Sequence, residues 1–226
     1  MSGLHRRVGV GLALLLSLML AATTNARAQE PVSPGQEAIS QLFLLVLIPA
    51  IGIGILVMVL LTYAVIKFRA RKGNSHGPSQ PKTHDRKLET VWTVIPALIL
   101  LLVGVATFQT LRITDTIPEQ PDVTVFVTGH QWYWEFNVTY PNGSFVHTNG
   151  EFTVTVGQVV KLVIESSDVA HSLYIPAFNL KVDAIPGHEN VYWFQPLRAG
   201  AYDIHCAEFC GLSHYLMTGT LHVLPN

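Results

Sequence analysis

Hydrophobic positions divide the chain into three parts, and the first part is short. Residues 8–22 are apolar, follow two arginines and precede an Ala-Arg-Ala sequence, a pattern typical of a cleaved secretory signal. At 15 residues this run is shorter than the ~20 that a membrane span needs. We therefore assign residues 1–29 to a signal peptide, with an uncleaved first membrane anchor as the alternative.

Two longer apolar stretches form the second part. Residues 42–66 and 91–111 carry no charged side chain, and each stretch is long enough to cross the hydrocarbon core of a bilayer. We place membrane spans at about 42–67 and 91–111, within a transmembrane helical hairpin that covers residues 30–112.

The linker between the spans is basic. Two acids, Asp85 and Glu89, stand against seven basic residues: Lys67, Arg69, Arg71, Lys72, Lys82, Arg86 and Lys87. Short loops rich in Lys and Arg stay on the cytoplasmic side of the membrane. Both ends of the mature chain are therefore expected outside the cytoplasm.

From residue 113 onward the pattern changes to short strands separated by turns. Alternating or β-branched segments predict strands at 122–128, 151–156, 159–164, 190–194 and 219–223. Pro-Asn-Gly, Asn-Gly, Pro-Gly and Ala-Gly sequences supply the turns. Residues 113–226 are therefore predicted to form an all-β sandwich or barrel.

One predicted strand is unusually aromatic: Gly129-His-Gln-Trp-Tyr-Trp-Glu-Phe136. Alternation places Trp132, Trp134 and Phe136 on the same face. Periodicity alone predicts that this face is buried in the core.

Charge is segregated along the chain, although the formal net charge is only −1. From residue 113 to the end, 11 acidic residues stand against Lys161, Lys181 and Arg198. Such a surplus attracts a cationic partner, with an ordinary solvated face as the alternative. We expect no nucleic acid partner.

The densest chemistry lies near the C-terminus, in Cys206-Ala-Glu-Phe-Cys210-Gly-Leu-Ser-His214-Tyr-Leu-Met217. This segment holds both cysteines of the chain, and His171 offers a second imidazole upstream. Soft sulfur donors with imidazole favour copper. A mononuclear blue copper site needs one thiolate, whereas two thiolates can bridge two copper ions, as in the dinuclear CuA centre. A disulfide and a four-ligand zinc site are the alternatives, and neither uses Met217.

The pattern Cys-x-Glu-x-Cys-x-x-x-His-x-x-Met, with Asp-x-x-His-Ser upstream, resembles subunit II of haem-copper cytochrome c oxidases. The resemblance implies a cupredoxin-like Greek-key sandwich that holds dinuclear copper. The metal residues that it implies are His171, Cys206, Glu208, Cys210, His214 and Met217. The two thiolates would bridge the coppers, each imidazole would cap one, and the Glu208 carbonyl and the thioether would be weak ligands. The Glu208 carboxylate would bind magnesium or manganese shared with subunit I.

The resemblance assigns three further roles. Glu89, in Glu-Thr-Val-Trp-Thr-Val-Ile-Pro, would stand at the mouth of a proton pathway into subunit I, and a carboxylate favoured by the helix dipole is the alternative. Trp132 would be the point where electrons arrive. Asp168 and Asp183 would belong to the docking patch for cytochrome c. His188 and His205 depart from the usual family residues and stay outside the metal set.

The resemblance implies a proton-translocating oxidoreductase in which this chain accepts electrons from a c-type cytochrome and passes them to the haems of subunit I. Oxygen reduction and proton pumping would occur in that partner. Further oxidase subunits, membrane lipid and a bacterial plasma membrane with a periplasmic copper domain are expected. A quinol oxidase subunit II would lack the thiols, a soluble CuA enzyme would lack the hairpin, and a copper carrier would need neither Trp132 nor Glu89.

Overall fold

The computed structural model describes residues 30–69 and 84–226. The predicted signal peptide and the middle of the basic linker lie outside this range. The chain divides into a helical unit and a second unit made of residues 29–41 and 109–226.

Two long helices carry the apolar stretches: α1 spans Pro34–Lys67 and α2 spans Arg86–Asp115. At 1.5 Å per residue they measure about 50 Å and 45 Å, more than the ~30 Å of a bilayer's hydrocarbon core. Their apolar side chains remain exposed, as expected for surfaces that face lipid. Each helix has one proline in its interior, Pro49 in α1 and Pro96 in α2.

The C-terminal part forms a β-sandwich. Its strands are β1 (Val123–His130), β2 (Tyr133–Thr139), β3 (Phe145–Asn149), β4 (Glu151–Thr155), β5 (Val160–Ser166), β6 (His171–Ile175), β7 (Leu180–Ala184), β8 (Asn190–Phe194), β9 (Gly200–Cys206) and β10 (Thr218–Leu224). One sheet has the order β3-β2-β1-β5-β8 and the other β4-β10-β9-β6-β7. The predicted fold class is confirmed.

The core lies between the two sheets and follows from strand alternation. Trp134 and Phe136 of β2 are fully buried, and Phe136 meets Phe152 of the opposite sheet at a ring distance of 4.8 Å. The buried-face prediction is correct for these two aromatic residues of β2. It is wrong for Trp132, which is 36% exposed, because this residue precedes the strand and alternation does not extend into the turn.

The residues just before α1 join the β-domain. The Leu197 amide donates to the Val32 carbonyl at 2.8 Å, and Arg198 lies 3.6 Å from the Glu30 carboxylate. Ser33 is only 2% exposed. The domain therefore includes a segment that lies before the helical hairpin in the sequence.

Candidate metal centre

Sheet topology gathers the predicted ligands at one end of the sandwich. β9 ends at Cys206 and β10 begins at Thr218, so the loop between these neighbouring strands carries the other candidate ligands of this segment. On its other side β9 pairs with β6, where Leu173 lies opposite Cys206. His171, the first residue of β6, is thereby placed beside the loop.

Five interatomic distances define the cluster, and each involves at least one of the two cysteine sulfurs. Cys206 Sγ lies 3.8 Å from His171 Nδ1 and 3.3 Å from the Glu208 carbonyl oxygen. Cys210 Sγ lies 3.5 Å from His214 Nδ1 and 3.9 Å from Met217 Sδ. The two sulfurs are 3.8 Å apart and unbonded. All six predicted metal residues therefore converge, and the disulfide alternative does not describe this arrangement.

The donor set suits copper. Cys206, Cys210 and His171 are buried and close enough together to hold a metal ion, and the buried thioether of Met217 lies beside them. Thiolate, thioether and imidazole are the donors that copper prefers. A four-ligand zinc site would leave part of this set unused, so the cluster fits a CuA-type centre better.

Asp168 orients the His171 ring. Its carboxylate accepts a hydrogen bond from His171 Nε2 at 2.8 Å and another from the backbone N–H of Gln131 at 2.7 Å. With its proton on Nε2, the ring turns the lone pair of Nδ1 toward Cys206. Partial burial alone would raise the pKa of Asp168, but hydrogen bonds from His171, Val169 and Gln131 outweigh it and hold that pKa at about 2.

The thiol of Cys210 resists ionisation while no metal is bound. Burial, followed by the neighbouring Cys206, raises the pKa of Cys210 to about 12. Metal ligation requires the thiolate. Metal loading must therefore expel protons, and it will be favoured by rising pH.

Two glycines let the aromatic segment approach the ligands. A Cβ at Gly129 would lie 2.9 Å from His171 Cδ2. A Cβ at Gly211, whose φ is +122°, would lie 2.9 Å from Gln131 Nε2 and 3.3 Å from Trp132 Nε1. Any side chain at either glycine would displace the histidine or the aromatic segment.

Gln131 ties the same segment to the metal loop, because its Nε2 donates to the Cys210 carbonyl at 2.6 Å. The sequence reasoning missed Gln131, Gly129 and Gly211 as parts of the site. Two sequence signals could have found them: Gly129 and Gln131 belong to the Gly-His-Gln-Trp motif, and Gly211 directly follows the second cysteine.

The outer surface of the loop is apolar and exposed. The side chains concerned are Phe209 (78% exposed), Leu212 (88%), Tyr215 (77%) and Leu216 (60%). Contiguous exposed apolar groups of this kind mark interaction surfaces. The loop therefore combines a buried donor set with an outward face suited to a protein partner.

The remaining candidates lie outside the cluster. Asp183 is exposed on β7, opposite Ser172 of β6. His205 is exposed on β9, whereas its neighbours Ile204 and Cys206 are buried, so its side chain lies on the outer face. His188 is also exposed.

Glu89 belongs to the first turn of α2. Asp85 already caps this helix, since its carboxylate accepts hydrogen bonds from the Lys87 and Leu88 amides at 3.1 Å and 3.2 Å. The Glu89 carboxylate instead lies 2.7 Å from His84 Nδ1, with its side chain 38% exposed. The N-cap of this helix is therefore Asp85 and not Glu89.

Together, the apolar helices, the β-sandwich and the sulfur–imidazole cluster define a protein with two candidate membrane spans and a β-domain suited to binding copper. Two family models match this chain: the transmembrane domain of cytochrome c oxidase subunit II over residues 21–110 and its periplasmic domain over residues 139–223.

Named relatives agree with these matches. A probable cytochrome c oxidase subunit 2 of Rickettsia bellii is 31% identical, with 88% of this chain and 79% of the relative covered. Cytochrome c oxidase subunit 2 of Cereibacter sphaeroides is 32% identical, with 81% and 70% covered. The periplasmic domain of subunit II of the Bradyrhizobium japonicum oxidase is 30% identical, with a TM-score of 0.45 and coverage of 49% of this chain and 89% of that one. The chain belongs to the cytochrome c oxidase subunit II family.

Proposed function

We propose that this chain is the electron-accepting subunit of a cytochrome c oxidase, receiving electrons from a reduced c-type cytochrome and delivering them to the haems of subunit I. The observation that carries the proposal is the convergence of two thiols, two imidazoles, a thioether and a carbonyl. Each of these groups lies 3.9 Å or less from a cysteine sulfur. When bound there, a pair of copper ions supplies a one-electron carrier.

The protein's contribution is to hold these donors rigidly. His171 and Met217 are essentially fully buried and the cysteines nearly so, so water is excluded from most of the set. Asp168 fixes the tautomer of His171, and Gln131 fixes the backbone at Cys210. A donor set that is held in place changes little when its charge changes, which favours rapid electron transfer.

Trp132 is the proposed arrival point for electrons. Trp132 is 36% exposed, and its indole lies close enough to the metal loop that a Cβ at Gly211 would come within 3.3 Å of Nε1. Asp183 and Asp168 are proposed docking acids on the same domain. Asp168 has a second role, because its carboxylate is already engaged by His171 and Gln131.

Glu208 supports a further proposed metal role. Its carbonyl oxygen lies against Cys206 Sγ, whereas the residue as a whole is exposed. Carboxylate oxygen is a suitable ligand for magnesium or manganese, and subunit I would supply the remaining ligands. The exposed apolar face of the loop supports assembly with that subunit.

The bacterial plasma membrane is the proposed location, with the copper domain on the periplasmic face. The basic linker supports this orientation, and the matched family domain is periplasmic. Proton pumping is proposed for the assembled complex.

Copper stoichiometry and spin delocalisation test the proposed centre. The full-length chain, purified in detergent and reconstituted with copper, is expected to bind two coppers. Its electron paramagnetic resonance spectrum should show seven hyperfine lines from one electron shared by two copper nuclei. One copper per chain with a four-line spectrum would contradict the dinuclear assignment while leaving family membership intact.

Glu89 is proposed to pass protons toward subunit I, and Glu89→Gln tests this role. In the assembled oxidase we expect turnover to fall by about tenfold or more, as for loss of a proton-transferring group, while reduction of the copper centre keeps its rate. Asp85→Asn is the matched control, because asparagine caps a helix as well as aspartate does. Equal turnover in the Glu89 variant and wild type would refute the role.

A further inference from the structure

Gln131 directly precedes Trp132, the proposed arrival point for electrons, and shares the tip of a hairpin with it. β1 ends at His130 and β2 begins at Tyr133, and these two residues pair with each other. Gln131 and Trp132 are therefore the two residues that connect the strands. A hairpin tip of this kind keeps a fixed position only where further contacts hold it.

The indole of Trp132 has few contacts that would fix it. Within the described part of the chain, its N–H makes no hydrogen bond and its ring stacks on no other aromatic group, and the residue is 36% exposed. The position of the indole relative to the metal loop therefore depends on van der Waals contact and on the residues next to it.

Gln131 is anchored on both sides. Its backbone N–H donates to the Asp168 carboxylate at 2.7 Å, and its side-chain Nε2 donates to the Cys210 carbonyl at 2.6 Å. The first bond holds the backbone of the hairpin tip beside the turn that precedes β6, and the second joins the tip to the metal loop. Because a short amide–carbonyl bond restricts both distance and direction, the second bond fixes how far the tip stands from the loop.

The amide of Gln131 and the indole of Trp132 lie against the same glycine. A Cβ at Gly211 would come within 2.9 Å of Gln131 Nε2, 3.3 Å of Trp132 Nε1 and 3.4 Å of Trp132 Cζ2. Gly211 directly follows Cys210, whose carbonyl accepts the bond from Gln131. The bond therefore acts one peptide unit away from the place where the indole approaches the loop.

We propose that Gln131 is the positioning residue for electron entry: its amide holds the Trp132 indole against Gly211 and so sets the gap between the indole and the metal loop. The proposal rests on the proposed role of Trp132. Electron transfer weakens steeply as this gap widens, and misplacement of a reacting group by about 1 Å can cost about 100-fold in rate. A single hydrogen bond at the hairpin tip can therefore control the rate of electron entry.

Nuclear magnetic resonance of the full-length, metal-free chain in detergent, kept reduced, tests the position of the indole. With isotope-labelled tryptophan and protonated glycine in a deuterated background, we expect an Overhauser effect between the Trp132 indole N–H and the Gly211 α protons. The indole resonance is assigned by its loss in Trp132→Phe. Gln131→Met keeps the length of the side chain and removes the donor, so this effect should disappear.

Gln195→Met is the matched control, because Gln195 Nε2 donates to the Gly157 carbonyl at 2.7 Å, away from the predicted metal ligands. This variant should keep the Overhauser effect. Gln131→Glu is a second test variant, since an ionised carboxylate accepts hydrogen bonds and cannot donate one to the carbonyl. An unchanged effect in both Gln131 variants, its loss in Gln195→Met, or its absence from the wild type would overturn the proposal.

The consequence for the reaction is measured in the copper-loaded, assembled oxidase. In Gln131→Met we expect electron transfer within the bound cytochrome complex to slow by about tenfold, as for a displacement of less than about 1 Å, while the association rate and the seven-line spectrum are kept. A normal transfer rate despite a lost Overhauser effect would overturn the role. A wild-type spectrum without seven lines would instead contradict the proposed copper centre, and the measurement on the metal-free chain would still decide whether Gln131 positions the indole.

Discussion

Cys206→Ser will abolish the seven-line spectrum and lower cytochrome c oxidation by the assembled complex by more than about 100-fold. Loss of a residue that only supports a metal ligand already lowers metal affinity or activity by about 10–100-fold. Cys206→Ser removes a thiolate that contacts three other members of the set: His171, Glu208 and Cys210. A serine hydroxyl is a hard donor and a poor ligand for copper. Electron paramagnetic resonance and steady-state oxidation of reduced cytochrome c provide the measurements.

His205→Ala is the control for this change. The residue adjoins Cys206 in sequence, but its side chain is exposed on the outer face of β9. The spectrum and turnover of this variant should match wild type. A loss of copper in His205→Ala comparable to that in Cys206→Ser would show that our ligand set is incomplete.

Trp132→Gln will slow electron transfer within the bound complex by at least about tenfold, equivalent to ~1.4 kcal/mol in the barrier. The association rate should hardly change. The indole is partly exposed to solvent and lies beside Gly211 of the metal loop, and glutamine cannot replace its ring. Flash-induced reduction of the copper centre by cytochrome c separates the two rates.

Asp183→Asn should do the reverse. Surface charges mainly set association rates, so this variant should bind cytochrome more slowly, with a weaker dependence on salt, and then transfer electrons at the normal rate.

Thermal melts come first, because a large loss of stability in Trp132→Gln would identify the indole as a packing residue. Asp168 is unsuitable for this comparison since its carboxylate also orients His171.

The sequence predicted the parts of the fold that follow from local pattern. β1 alternates clearly between buried and more exposed positions, and it was found near its observed bounds. The bounds of the edge strand β8 were also predicted, from its run of β-branched and aromatic residues. β3 was missed because Phe145 and Val146 are both exposed on this edge strand, so alternation gives no signal. β6 was missed because four of its five residues are buried, so that alternation gives no signal. β7 was missed although its sequence, Leu-Lys-Val-Asp-Ala, alternates between apolar and charged residues.

The candidate site shows the same division. Donor chemistry and spacing identified the two cysteines, the two histidines and the methionine that lie together, whereas Glu208 was implied only by the family resemblance. The support given by Gln131 could not be predicted, because its hydrogen bond reaches a carbonyl 79 positions away. Asp168 was predicted only as a docking acid, and its hydrogen bond to His171 was not predicted, since a carboxylate three residues before a histidine is also common on solvated surfaces.

The attachment of residues 30–33 to the β-domain bears on how the protein is made. This segment leaves the ribosome before α1, whereas its partner Leu197 is synthesised long after α2. The two meet only if the chain has crossed the membrane twice and returned to the side where it began. A wrongly inserted chain would leave Leu197 and its neighbours uncovered, with at least one backbone hydrogen bond, worth ~1 kcal/mol, unmade. The hydrogen bond between Leu197 and Val32 therefore forms only when the segment before α1 and the β-domain lie on the same side of the membrane.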